Sequence, residues 1–219
     1  QINADRENEQ LSVFASCYEY TGGDFAGKLN EAVNNDDRTT TRIRSLNLEA
    51  QSPRSNEYGT LLSTHGDVTS DVLIVGRSYM QSSYQYSMLT WDDEVIEYAV
   101  PEDMRDVVEY WEVEINGATY KRGIRLDNLK NIDKLFDFKP GDYPEGSILR
   151  ENYDSLSSED KTKYDLEMRK YDSEFYLVIN PTSYNIGSKQ KKGKADKADV
   201  QAFTLISKLL WYAHENVIA

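Results

Sequence analysis

Over the first eighty residues the chain alternates between short apolar runs and helical stripes. Residues 11–17 (LSVFASC) form an apolar, partly aromatic run that predicts a buried strand. Gly22-Gly23 breaks the chain after it. Asp24 is placed to cap a helix over 24–35, in which Phe25, Leu29, Ala32 and Val33 share one face. Residues 39–50 (TTTRIRSLNLEA) alternate, with Ile43, Leu46 and Leu48 marking a second strand. After Pro53, Ser55 opens a short helix that turns Tyr58, Leu61 and Leu62 inward. DVLIVG (71–76) is continuously apolar, as expected of a central parallel strand covered on both faces. Parallel strands joined by helical crossovers satisfy this strand–helix–strand–helix–strand order most simply.

Beyond residue 78 the pattern loosens. Tyr79 to Tyr86 (YMQSSYQY) follows neither a helical nor a strand period, and Asp92 to Tyr98 predicts a short helix stopped before Pro101. VEYWEVEI (108–115) and ATYKRGIRL (118–126) flank Asn116-Gly117, the signature of a hairpin with a type I′ turn. DNLKNIDKLFDF (127–138) predicts a helix capped by Asp127, with Leu129, Ile132, Leu135 and Phe136 on one face, and KPGDYPEG (139–146) predicts a loop. SSEDKTKYDLEMRKYD (157–172) predicts an exposed helix opened by Ser157 and Asp160 in a capping-box arrangement. EFYLVINP (174–181) predicts a strand. Residues 194–215 predict a long amphipathic helix with Ala198, Ala202, Leu205, Ile206, Leu209 and Ala213 in line.

The expected fold is therefore α/β: a parallel-sheet βαβαβ lobe with a mixed sheet, a β-hairpin insertion or smaller second lobe, and a final βα unit. Residues 1–10 read as a flexible leader and 11–219 as a single domain. Within it, 11–78 and 174–219 form the main lobe and 79–173 the insertion or smaller lobe.

Charge narrows the partners. The chain carries a net −13, so nucleic acid is not an expected partner, since phosphate binding needs concentrated Lys and Arg. Residues 92–114 hold ten acids against Arg105 alone, and thus −9 of that total. The short basic run 189–194 (KQKKGK) reads as a solvated loop, or as a contact with an anionic surface. No apolar run reaches the roughly 18 residues that a spanning helix needs, so no transmembrane segment is expected. The polar, pattern-free start is what trimming behind a secretion or lipoprotein signal would leave, which makes an extracytoplasmic location the expected one.

Catalytic and cofactor chemistry finds little to stand on. A single cysteine, Cys17, excludes an intrachain disulfide and a cysteine-based zinc site. Two histidines are too few for a rich metal centre, and no metal is expected. His65 lies in STHGD (63–67), but no G-x-S-x-G elbow accompanies it, and the segment reads as a polar turn. G-x-G-x-x-G and the phosphate-loop Lys-Ser/Thr are both absent, so no cofactor is expected. Asp92-Asp93-Glu94 lacks the spacing of a calcium loop.

Position within the fold gives the candidate site. Ligands of open α/β sheets collect at the carboxyl ends of strands near the switch in strand order. The segments there are 18–24 and 76–80, and the candidate ligand-binding residues are Tyr20, Thr21, Asp24, Arg77, Ser78 and Tyr79. Arg77, directly behind an apolar strand, is the most pointed of these; its plain alternative is a surface salt bridge to the acidic segment. Tyr79, Tyr84 and Tyr86 cluster where amphipathic rings can stack on a sugar or fill a protein interface.

The series LSVFASCYEY, LNEAVNN, RIRSLNLEA and EYGTLLSTHGDVTSDVLIVG resembles the first lobe of bacterial extracytoplasmic solute-binding proteins, and WEVEINGATYKRGIRLDN resembles their hairpin segment. The resemblance implies a type II periplasmic-binding-like fold, frequently lipid-anchored. It also implies capture of a small solute (sugar, amino acid or peptide) between two lobes for a membrane ABC transporter. No ligand-contacting residue is carried over from that family. The reading that follows is a non-catalytic solute-binding protein. The alternatives are a secreted or cell-surface protein-interaction domain and an enzyme with an unrecognised site.

Overall fold

A computed structural model describes residues 10–38, 45–142, 145, 153–182 and 185–215. Residues 1–9 of the expected leader, Ile43 of the expected second strand and part of the 139–146 loop lie outside the described residues, as does the side chain of Ala198. The strands are β1 (Gln10–Ser16), β2 (Glu19–Tyr20), β3 (Ser45–Gln51), β4 (Val72–Gly76), β5 (Tyr110–Ile115), β6 (Ala118–Arg125), β7 (Phe136–Asp137) and β8 (Phe175–Ile179). Six of them form one mixed sheet in the order β3-β1-β4-β8-β6-β5, and β2 pairs with β7 separately.

The parallel half is β3-β1-β4, with Val13 opposite Leu48 on one side and Val72 on the other. From β4 outward every pairing is antiparallel: β4 with β8, β8 with β6, β6 with β5. β3 thus lies on one side of β1 and β4 on the other, so the switch in strand order falls between β1 and β4, while beyond β4 the order runs back through β8, β6 and β5.

Both faces of the sheet are covered, which is why its central strands read as unbroken apolar runs. Leu11, Val13, Ala15, Val72, Ile74, Phe175, Leu177 and Ile179 point into one core. Phe14, Leu73, Val75, Tyr176 and Val178 alternate with them into the other. Three helices cover the first face: α1 (Phe25–Asn34), with Phe25, Leu29 and Val33 buried four residues apart, α5 (Asp93–Ala99) and the last helix, α8 (Lys197–His214). The second face carries α2 (Tyr58–Leu61), a π-helical turn (Leu62–Gly66), α3 (Asp67–Thr69) and α4 (Arg77–Met80). α6 (Ser158–Met168) and α7 (Ser188–Lys192) complete the set. Cys17 is buried in the first core, and burial pushes its thiol up to about 12.

Local capping follows the sequence in part: Asp24 stands at the N-cap of α1 without a side-chain cap hydrogen bond, and the helix expected to open at Ser55 begins at Tyr58. The Asp92 carboxylate accepts from Val95 N at 3.0 Å and Ser157 Oγ accepts from Asp160 N at 3.1 Å. Asn116 (φ 53°) and Gly117 (φ 79°) adopt the left-handed backbone that the hairpin turn requires. The hairpin, assigned by the sequence to the 79–173 interruption, hydrogen-bonds through β6 to β8 and forms the outer edge of the same sheet.

Four expectations change. Residues 127–138 do not form a helix but a series of turns, a 3-10 turn (Ile132–Lys134) and β7. The Asp127 carboxylate is held instead by Arg125 and by Phe175 N, while Asn131 caps α8 by donating to Ala213 O and His214 O. Leu129, Ile132, Leu135 and Phe136 are buried all the same, so turns satisfy the apolar pattern as well as a helix would. Second, the stretch around His65 is not a plain turn but continuously helical from Tyr58 to Thr69. Asn180 fixes its end, its Nδ2 donating to the carbonyls of Gly66, Asp67 and Ser70.

Third, the basic run is not a free loop. Its first four residues lie in α7, and Lys189 reaches Asp92 (2.9 Å) and Glu94 (2.7 Å), joining it to the acidic segment. Fourth, Tyr79–Tyr86 is ordered as the end of α4 and a 3-10 turn (Ser83–Tyr86) capped by Ser82. Among the described residues no helix is long and apolar enough to cross a membrane.

Candidate functional site

The six candidate residues divide into two groups. Tyr20, Thr21 and Asp24 lie where β2 meets β7. Tyr20 packs its ring on Phe136 and donates its hydroxyl to Gly23 O; Thr21 Oγ1 donates to Asp133 O at 3.0 Å. Asp24 stands at the N-cap of α1 with its carboxylate against Gly27, where a Cβ would lie 2.5 Å from Oδ1. These three serve the local structure, and none lines the cavity described next.

Arg77 pairs with Glu174 (2.6 Å) on β8's approach, not with the 92–114 segment. Tyr176 Oη donates to the other oxygen of Glu174. Ser78 and Tyr79, by contrast, both line a cavity of about 420 Å³ at the carboxyl end of β4. The expected position at the strand end is occupied, but by a different set of side chains from the one the β1 end would supply.

The cavity lies between the helical stretch 58–69, the start of α4 and the inward face of α6. Tyr58, Leu62, Tyr79, Tyr84 and Leu166 give it an apolar and aromatic wall. Tyr79 and Tyr84 stack in parallel, 5.1 Å between centroids and 8° between planes. Tyr58 is buried, with its hydroxyl 2.8 Å from Ser16 Oγ, and burial pushes it up to about 12.

The polar floor is built around Asp172. Its Oδ2 accepts from Ser78 Oγ at 2.5 Å, and the carboxylate also accepts from Ser78 N. Burial pushes the Asp172 carboxyl up to about 6, against the lowering effect of the Ser78 hydrogen bonds. Asp67 receives the Tyr79 hydroxyl at 2.7 Å; burial raises both groups above their ordinary values. Asp165 and Arg169 reach the cavity from α6 and the turn that follows it. A second cavity of about 390 Å³ adjoins the first, sharing Ser78, Ser82 and Asp165 and adding Tyr153, Tyr164 and Met168.

His65 is elsewhere. It faces Glu49 (2.8 Å) in a separate polar cavity with Ser12, Asn47 and Asn185. Among the described residues no group of three or more His, Cys, Asp or Glu side chains could hold a metal ion.

Asp172 and Arg169 are the residues that sequence reading missed. Both sit in a stretch read as an exposed helix, and their importance depends on β8 running antiparallel beside β4. That pairing places residue 172 opposite the β4–α4 junction, and no local pattern encodes it. Comparison with family models, with curated proteins and with solved structures returned no match for this chain.

Proposed function

We propose that the protein is a non-catalytic binding protein that holds a small organic solute in the cavity at the carboxyl end of β4. The observation that supports this reading is the composition of that single cavity: aromatic walls, several hydroxyls, three carboxylates and one guanidinium converge on about 420 Å³. An extracytoplasmic setting, a lipid anchor and delivery to a membrane transporter belong to the same proposal and rest on the sequence, not on the cavity. The periplasmic-binding-like architecture is its finer part. In the form proposed, the ligand sits between the end of one sheet and the helix packed across it.

A thermal-shift screen against sugars, amino acids, short peptides and metal ions tests the reading. A specific stabiliser raises the melting temperature by mass action, and Thr162→Trp, which fills the cavity from the face of α6 that lines it, abolishes the shift. Silence across the panel rejects it.

A second reading, catalysis, has one observation in its favour: Asp172 is held near 6 in direct contact with Ser78, inside a cavity. Chemical change of a bound solute, lost in Asp172→Asn while binding persists, would replace the first reading with this one.

A further inference from the structure

Arg169 is set apart from the other charged groups of the cavity. It lies in the 3-10 turn that ends α6, with its guanidinium stacked 5.7 Å from the centroid of the Tyr58 ring. On its other side is Gly59, where a Cβ would come to 3.4 Å from both terminal nitrogens. Packing, and not an ion pair, holds the group in place. Among the described residues the Arg169 side chain has neither a hydrogen bond nor a salt bridge, and its Nε is buried without a partner. A buried donor left unpaired is costly, so such a group calls for an acceptor.

The carboxylates nearby do not supply one. Asp172 accepts from Ser78 and Asp67 from Tyr79, so two of the three are already engaged. Asp165 precedes Arg169 by four residues, a spacing at which helical ion pairs ordinarily form, and still the two are not paired. Two of the three acids lining the cavity thus have an internal donor and none pairs with Arg169, so its one cation lacks an acceptor.

We propose that Arg169 is the anchor for a carboxylate on the bound molecule, so that the cavity selects small organic carboxylates; this rests on the cavity being a ligand site at all. The guanidinium fork matches a planar carboxylate with two parallel hydrogen bonds. A phosphate fits less well, because it would bring a further negative charge among three carboxylates. The rings of Tyr58, Tyr79 and Tyr84 cover an apolar or aromatic body attached to the carboxylate.

The test titrates matched pairs into the wild-type protein: phenylacetate against phenylacetamide, 4-hydroxyphenylacetate against its amide, succinate against succinamide, with inorganic phosphate as a further arm. Carboxylates are expected to bind about tenfold or more tightly than their amides at low ionic strength. Arg169→Gln erases that preference and Arg169→Lys keeps part of it, with unchanged near-ultraviolet circular dichroism showing that the variants are folded. Amides that bind the wild type as well as their acids overturn the anchor, and so does a preference that survives Arg169→Gln. The wild-type comparison decides even where a variant fails to fold. If neutral solutes bind and no carboxylate is favoured, the anchor falls and the cavity reading stands; if nothing binds, both fall. Phosphate binding tighter than any carboxylate likewise overturns the assignment.

Discussion

The Asp172 carboxylate occupies the space that a side chain on Gly76 would fill. A Cβ built on Gly76 would lie 2.1 Å from Asp172 Oδ2 and 2.7 Å from its Cγ. The glycine is there for room and not for backbone freedom, since its φ of −73° and ψ of 165° suit any residue. Its bareness lets the carboxylate reach the Ser78 amide and hydroxyl where β4 turns into α4.

Gly76→Ala is therefore expected to destabilise the fold by about 2–4 kcal/mol, the range for overpacking a rigid site that also loses buried hydrogen bonds. In an Asp172→Gly background the same substitution should cost far less, because the atoms it strikes are gone. Urea denaturation of the four proteins checks this. Equal costs in both backgrounds would contradict the steric account.

Asp172 should also leave a mark on stability against pH. Its folded value of about 6 lies above the ordinary 3.8, so the folded state keeps this proton when the unfolded chain has lost it. The site favours folding below about pH 4 and loses that contribution as pH rises through about 6. The total effect is of the order of 2–3 kcal/mol at most. Asp172→Asn should remove this descending component, making the pH 4–7 profile of the variant rise relative to the wild type. Denaturation midpoints across that range provide the check, and parallel profiles would refute it.

Asn180 makes a third prediction. Its Nδ2 donates to three carbonyls at the end of the 58–69 helical stretch, and its Oδ1 accepts from Thr182 N and Oγ1. Asn180→Asp sets an oxygen against those three carbonyls. At pH 7 it should cost about 3 kcal/mol or more, exceeding Asn180→Ala, with the gap narrowing in acid as the new carboxyl is protonated. Because the clamp holds Asp67 beside the cavity, either variant should also weaken ligand-induced stabilisation. A cost for Asp no greater than for Ala at neutral pH would count against the assigned donor pattern.

Much of the framework was legible from local pattern alone. LSVFASC and DVLIVG read as buried strands because residues facing both ways are apolar, and the sheet indeed buries both faces. Ser157 and Asn116-Gly117 read correctly because caps and tight turns depend on the few residues around them. Residues 127–138 misled for the complementary reason. A stripe of Leu129, Ile132, Leu135 and Phe136 signals burial, and burial in turns gives the same stripe as burial in a helix.

The candidate site was legible in position but not in membership. Ser78 and Tyr79 followed from the rule that ligand sites gather at strand ends, while Arg77 turned to Glu174 and the loop at 20–24 to β7 and α1. By itself the sequence determined the strand–helix rhythm, the two-sided core, the Ser157 cap and the hairpin, because each is a contest among neighbouring residues. Only the tertiary structure decided that β8 lies antiparallel against β4. That pairing brings Asp172 onto Ser78, 94 positions away in the chain, and Arg169 onto Tyr58. Contacts at such separation depend on how whole elements stack, and no window of sequence contains both partners.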